Sequence, residues 1–129
     1  MNLKILSWNV RALNNPQKRD TVKNLLKEWK CDVVCFQETK LDCANSFVVK
    51  SLWGSHFVDW VALDAIHTTG GVLLIWDKQV YEKIECVVGC ISVSIVLKGV
   101  EDGFVWICMG VYGPLLLGLG ILYGLNLIV

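Results

Sequence analysis

"DVVCFQETK", Asp32 to Lys40, begins its apolar run at Val33, keeps it unbroken to Phe36, and then turns polar at Gln37, Glu38, Thr39 and Lys40. An uninterrupted apolar run of this length is what a strand needs when both of its faces are covered. The strand then delivers a carboxylate, flanked by an amide and a cation, at its C-terminal end. In α/β architectures that is where rigid scaffold meets solvent, and where chemistry is often placed. A strand that simply gives way to a polar loop would read the same, so the neighbouring segments have to decide.

Upstream, Leu3 to Trp8 alternates weakly and reads as a first strand ending at Asn9. "NNPQKRDTVKNLLKEWK" follows as a helix over roughly Gln17 to Trp29. Asn15 is placed to cap it, and Pro16 suits the first helical position, where a missing N–H is no loss. Val22, Leu25, Leu26 and Trp29 recur at helical spacing and predict the buried face, while Lys23, Lys27 and Lys30 share another face in water. Strand, helix and strand within forty residues make a βαβ unit, whose two strands should be parallel neighbours.

Downstream the pattern changes to short β-rich segments separated by turn signals. "HFVDWVAL" is one, and "GGVLLIWD" is a second, opened by Gly70 and Gly71. "CISVSIVL" alternates, with Ile91, Val93, Ile95 and Leu97 on one face; "KGVEDG" reads as a hairpin loop and "FVWICMGVY" as the returning strand. No internal repeat is present. The fold class expected is α/β, a mixed sheet with flanking helices.

At 129 residues the chain is one domain or part of one. Twelve basic and twelve acidic side chains cancel, so net charge selects no partner. Their distribution is uneven: residues 1–50 hold nine Lys/Arg against five Asp/Glu, and residues 51–129 hold three against seven. The basic first part suits a polyanion, although an ordinary solvated face has the same composition. The six cysteines show neither a paired zinc spacing nor a secreted framework, and Cys35, Cys90 and Cys108 lie in apolar runs where Cys packs as a small hydrophobe. "MNLKILSWNV" carries no apolar signal segment, which predicts reduced thiols in an intracellular compartment, nuclear or cytoplasmic.

Three strand ends now align: "LSWNVRAL" with Asn9, "FQETK" with Glu38 and "GVYGP" with Tyr112. With "GGVLLIW", their order and spacing resembles the endonuclease/exonuclease/phosphatase superfamily, and more closely the endonuclease domain that opens plant LINE-type retrotransposon polyproteins. The resemblance covers residues 1–114. It implies a four-layer α/β sandwich, with two sheets face to face and helices outside, and divalent-metal phosphodiesterase chemistry on DNA or other nucleic acid. Carried onto this chain, Glu38 becomes a ligand of Mg²⁺, for which Mn²⁺ can substitute; a small hard cation takes one or two carboxylates with waters and phosphate oxygens. Asn9 lies beside the same metal and orients catalytic groups, and Tyr112 stands near the scissile phosphate.

The departures are informative. Arg11 replaces an acidic residue of many relatives, as is common in retrotransposon members, and Leu115 stands where Y-x-P is usually followed by Asn. The later G-D-F-N and S-D-H segments, which supply a water-activating Asp and a phosphate-stabilising His, are not found. Neither His56 nor His67 matches that His. Residues 1–114 thus read as the front half of the domain, truncated, and the charge-free residues 115–129 as an aberrant apolar tail. As a helix that tail would reach about 22 Å at 1.5 Å per residue, short of the roughly 30 Å of a bilayer core. Three expectations follow: Mg²⁺ binds weakly, turnover is lost, and no dedicated membrane partner exists. Further, an inner sheet face including Val93, Ile95, Val105 and Ile107 should lie bare, because in the family each half of the chain contributes one sheet; self-association through it is expected. The competing readings are a non-catalytic retroelement remnant and a small membrane-associated protein held by its tail.

Overall fold

The computed structural model of the protein describes residues 3–66, 70–111, 119–121 and 125–128. The first strand, β1 (Leu3–Asn9), leads into helix α1 (Pro16–Trp29) and then strand β2 (Val33–Gln37). The β1 and β2 strands are adjacent and parallel, as the βαβ reading requires. Asn15 caps α1, its side chain accepting from the Gln17 N–H at 2.8 Å, and Pro16 occupies the first turn. All five residues of β2 are buried, which fits a strand covered on both faces.

A short helix, α2 (Ser46–Trp53), follows, then strands β3 (Val58–Leu63), β4 (Val72–Asp77), β5 (Tyr81–Val88), β6 (Ser92–Gly99) and β7 (Val105–Val111). Within the tail, β8 (Leu119–Ile121) and β9 (Leu125–Ile128) are also strands. The strands form two sheets, ordered β3-β4-β2-β1-β9 and β5-β6-β7-β8. The first is mixed, since β1 pairs in parallel with β2 and β9 while β4 runs antiparallel to β2 and β3. The second is antiparallel throughout. None of the described helices is long and apolar enough to cross a membrane.

Alternation along the strands divides the core in two. Ile5, Val33, Cys35, Leu74 and Trp76 face the second sheet and meet Val93, Ile95, Leu97, Trp106 and Cys108. Leu6, Val34, Phe36, Leu73 and Ile75 face the helices and meet Val22, Leu26, Val49 and Leu52. Helices, first sheet and second sheet are therefore three of the expected layers.

Four expectations need correction. This one chain builds both sheets, so Val93 and Ile95 are fully buried rather than bare. Val105 and Ile107 lie on the opposite face and are 54% and 49% exposed. The hairpin register explains this: Ile95 faces Cys108 and Leu97 faces Trp106, so the inner set of β7 is the even-numbered one. On α1, Leu25 is only half-buried, and Arg19 takes a place in the buried stripe with Val22 and Leu26. Cys90 is exposed rather than packed; all six cysteines are free.

Candidate active site at the strand ends

Parallel register brings the first two candidate residues to one edge. Trp8 stands opposite Phe36 and Asn9 opposite Gln37, so Glu38 lies one residue beyond the partner of Asn9. Neighbouring strands are separated by about 5 Å. Asn9 is exposed and Glu38 half-buried. By the alternation that puts Ile5 on the inter-sheet side, Asn9 belongs to that side as well.

Glu38 does not sit on a casual loop. Its backbone is left-handed, with φ 53°, as are Lys40 at 56° and Arg11 at 62°. A non-glycine residue in this region costs on the order of 1 kcal/mol and persists only where the surroundings dictate it. Here hydrogen bonds hold it from both sides. Val10 N–H donates to the Gln37 carbonyl at 3.1 Å and Leu13 N–H to the Thr39 carbonyl at 2.8 Å. From the other side, Thr39 N–H donates to the Gly71 carbonyl at 3.3 Å and Lys40 N–H to the Gly70 carbonyl at 2.8 Å. Buried Thr39 also accepts from Leu41 N–H at 3.3 Å. Arg19 extends the lattice, its Nη1 donating to the Leu13 carbonyl at 2.8 Å, while its buried Nε has no partner among the described residues.

The Gly70–Gly71 pair is what lets β4 start so close to this loop. Both have positive φ, and a Cβ on Gly71 would collide with Thr39 Oγ1 and come within 3.4 Å of the Lys40 nitrogen, an ordinary contact. Gly71→Ala is therefore expected to cost roughly 1–3 kcal/mol and to loosen the Glu38 loop. Urea denaturation measures the first effect, and amide exchange at Glu38 to Lys40 measures the second. An unchanged midpoint would mean that the lock is not needed.

The second sheet reaches the same edge. Gly110, one residue before the end of β7, faces Val72 and Cys35; an added Cβ would lie 2.7 Å from Val72 Cγ1 and 3.0 Å from Cys35 Sγ. Val72 is itself the register partner of Gln37. The β7 strand thus ends at the edge that carries Asn9 and Glu38. Tyr112, the next residue but one after Gly110, lies outside the described residues, as does His67. The N-terminal end of α1 also opens here, with no acidic residue in its first turn.

The remaining ionisable groups of the opening stretch take no part. Asp32 is at the opposite edge, where its carboxylate accepts from Lys4 N–H at 2.8 Å; burial raises its pKa, with Lys4 pulling the other way. Burial pushes the Cys35 thiol well above its ordinary range and Cys108 up to about 12, so neither is a ready nucleophile. His56 is exposed. Among the described residues no group of three or more His, Cys, Asp or Glu could hold a metal. A carboxylate and an amide are donor types that a small hard cation accepts, the rest of its shell being water and phosphate oxygens.

Sequence reasoning missed Thr39 and Arg19, which look like ordinary polar residues until the loops are assembled. The glycine pair was visible, but its purpose was not.

Comparison with known proteins gives a consistent placement. The family model described as "Endonuclease/Exonuclease/phosphatase family" matches residues 6–106, more than half of the chain. Among solved structures, the AP endonuclease LMAP from Leishmania major aligns at TM-score 0.61 with 17% identity, over 86% of this chain and 39% of that one. The catalytic domain of Xenopus laevis APE2 aligns at TM-score 0.55 with 15% identity, over 84% of this chain and 45% of that one. At such identity these likenesses show the fold alone, and the chain spans less than half the length of either structure. No curated protein matches the chain.

Proposed function

Because the chain belongs to the endonuclease/exonuclease/phosphatase family, we propose that it carries one half of a divalent-metal phosphodiesterase site acting on DNA, with Glu38 as the metal ligand. The observation that supports this most is the shared edge: Asn9 ends β1, Glu38 directly follows the last residue of the adjacent parallel β2, and the hydrogen bonds of Gln37, Thr39 and Lys40 fix that turn from both sides. The metal, when bound, would polarise a phosphoryl oxygen and neutralise developing charge. Glu38 would hold it, the Asn9 amide would orient neighbouring groups, and Tyr112 would stand by the scissile phosphate.

The origin in a plant LINE-type retrotransposon belongs to the same reading, supported by Arg11 and by the order of the four motifs. An intracellular setting, nuclear or cytoplasmic, accompanies it. Since the G-D-F-N and S-D-H segments are not found, this sequence by itself binds Mg²⁺ weakly and does not turn over. Residues 1–114 carry the family half and residues 115–129 the foreign tail. Val105, Ile107 and Met109, exposed on the outer face of the second sheet, support self-association, which light scattering on the eluting chain reads.

The test is nicking of supercoiled plasmid in Mg²⁺. The chain alone should leave the plasmid closed. The chain fused to a downstream segment bearing G-D-F-N and S-D-H should nick it, and chelation should stop the reaction. Nicking by the unfused chain would overturn the claim of inactivity. Failure of every fusion that folds would overturn the site.

A further inference from the structure

The lysines of α1 have no part in the edge described above. Lys23, Lys27 and Lys30 lie at i, i+4 and i+7, flanking the buried Val22–Leu26 stripe. Lys23 and Lys27 meet α2 at Gly54, its left-handed C-cap. A Cβ there would lie 3.2 Å from Lys27 Cε and 3.5 Å from Lys23 Cδ, so both alkyl stems are drawn across Gly54. The outer face of α2 adds Phe47 and Lys50, which share a side with Gly54 at i, i+3 and i+7. Phe47 is 73% exposed.

Stability accounts for only part of this group. Lys27 and Lys50, in the last turns, do offset the helix dipoles. Lys23 lies mid-helix, and its contact with Asp20, 3.6 Å away, is a surface pair of little energetic worth. Glu28 falls on the side of α1 turned away from α2 by helical rotation. Phe47 thus shares one side of α2 with Lys50 and stands two helical turns, about 10 Å, from Gly54, where Lys23 and Lys27 lie. Single-strand binders combine such cations on phosphates with an aromatic ring under a base.

We propose that the α1–α2 face is a second contact surface for single-stranded nucleic acid, with Lys23, Lys27 and Lys50 on phosphates and Phe47 stacking a base. The proposal rests on the reading that the chain acts on nucleic acid. Helix α1 starts at the Asn9–Glu38 edge and runs away from it, so a strand leaving that edge can follow α1 onto this face.

The experiment is fluorescence anisotropy of a labelled oligothymidylate with the full chain, in EDTA so that metal chemistry is silent. Replacing Lys23, Lys27 and Lys50 together with Gln should weaken binding about tenfold or more and lower the salt slope by roughly 2, as expected for three single-strand phosphates. Phe47→Ala should cost about tenfold with the slope unchanged, and an abasic oligonucleotide should erase that difference. Asp32→Asn, at the edge away from the candidate site, should bind like the parent, and because binding is read in EDTA a failed cleavage reading leaves this result intact. The triple Lys-to-Arg variant keeps charge and stems and should retain affinity, which guards against misfolding as the cause. Parent-like binding by the Gln variant overturns the proposal. So does capture of phosphatidylserine vesicles, but not the oligonucleotide, with the same Lys and Phe dependence.

Discussion

Glu38→Ala is expected to reduce plasmid nicking by the fused domain by about 10⁴-fold or more, the scale on which loss of one member of a catalytic unit is felt. The fold should survive it. Glu38 lies outside β2, is only half-buried, and is held in place by the backbone hydrogen bonds of its neighbours Gln37, Thr39 and Lys40. Removal of the side chain also relieves nothing in the loop, because Ala in the left-handed region is no more comfortable than Glu. Glu38→Gln should be nearly as inactive, since it keeps the shape and loses the charge that a hard cation requires. Asp32→Asn, at the opposite edge of the same strand, should leave nicking within a few-fold of the parent. If Glu38→Ala nicks as well as the parent, the metal is held elsewhere.

Leu26→Ala should destabilise the chain by roughly 2–5 kcal/mol in urea denaturation, whereas Leu25→Ala should cost less than about 1 kcal/mol. The two residues are chain neighbours of the same type on one helix. Leu26 is 6% exposed and packed among Val22, Val34 and Phe36 in the helix-side core. Leu25 is turned a hundred degrees or so around the helix and keeps part of its surface in water. A cavity term therefore applies at one position and hardly at the other. Equal losses would mean that the buried stripe of α1 is wider than described.

That contrast shows how far the sequence could be read. Helical spacing located α1 and its cap from Asn15, Pro16 and the apolar periodicity, because those signals are local. The same periodicity could not separate Leu25 from Leu26, since both lie within a wide apolar arc and only the slope of the sheet beneath decides between them. Strand β5 was missed because "YEKIECVV" is exposed from Glu82 onward and has no buried face to pattern. It is a strand because β6 pairs with it, across a bulge between Lys83 and Glu85. Helix α2 was missed because only Val49 and Leu52 of its eight residues are buried, too few to establish a period. The face of β7 was misread for the opposite reason: nearly every residue of "VWICMGV" is apolar, so hairpin register chose the inner set. Strands β8 and β9 depend on pairing with β7 and β1, which no local pattern announces.

For the candidate site the division is similar. Asn9 and Glu38 were legible as residues that close two apolar strands, and the family resemblance supplied their roles. The left-handed turn at Glu38 was not legible. It depends on Gly70 and Gly71 arriving from a distant strand, and on Thr39 and Arg19 filling the space between loops.

The shared edge can be tested directly by adding Mn²⁺ to the isotope-labelled chain and mapping paramagnetic line broadening in amide NMR spectra. Broadening should begin at Asn9, Val10, Glu38 and Thr39, spare Lys4, Asp32 and Asp77 at the far edge, and disappear from the near edge in Glu38→Ala. Broadening centred on Asp32 and Asp77, or unchanged at Asn9 when the Glu38 carboxylate is gone, would contradict a metal site at these strand ends.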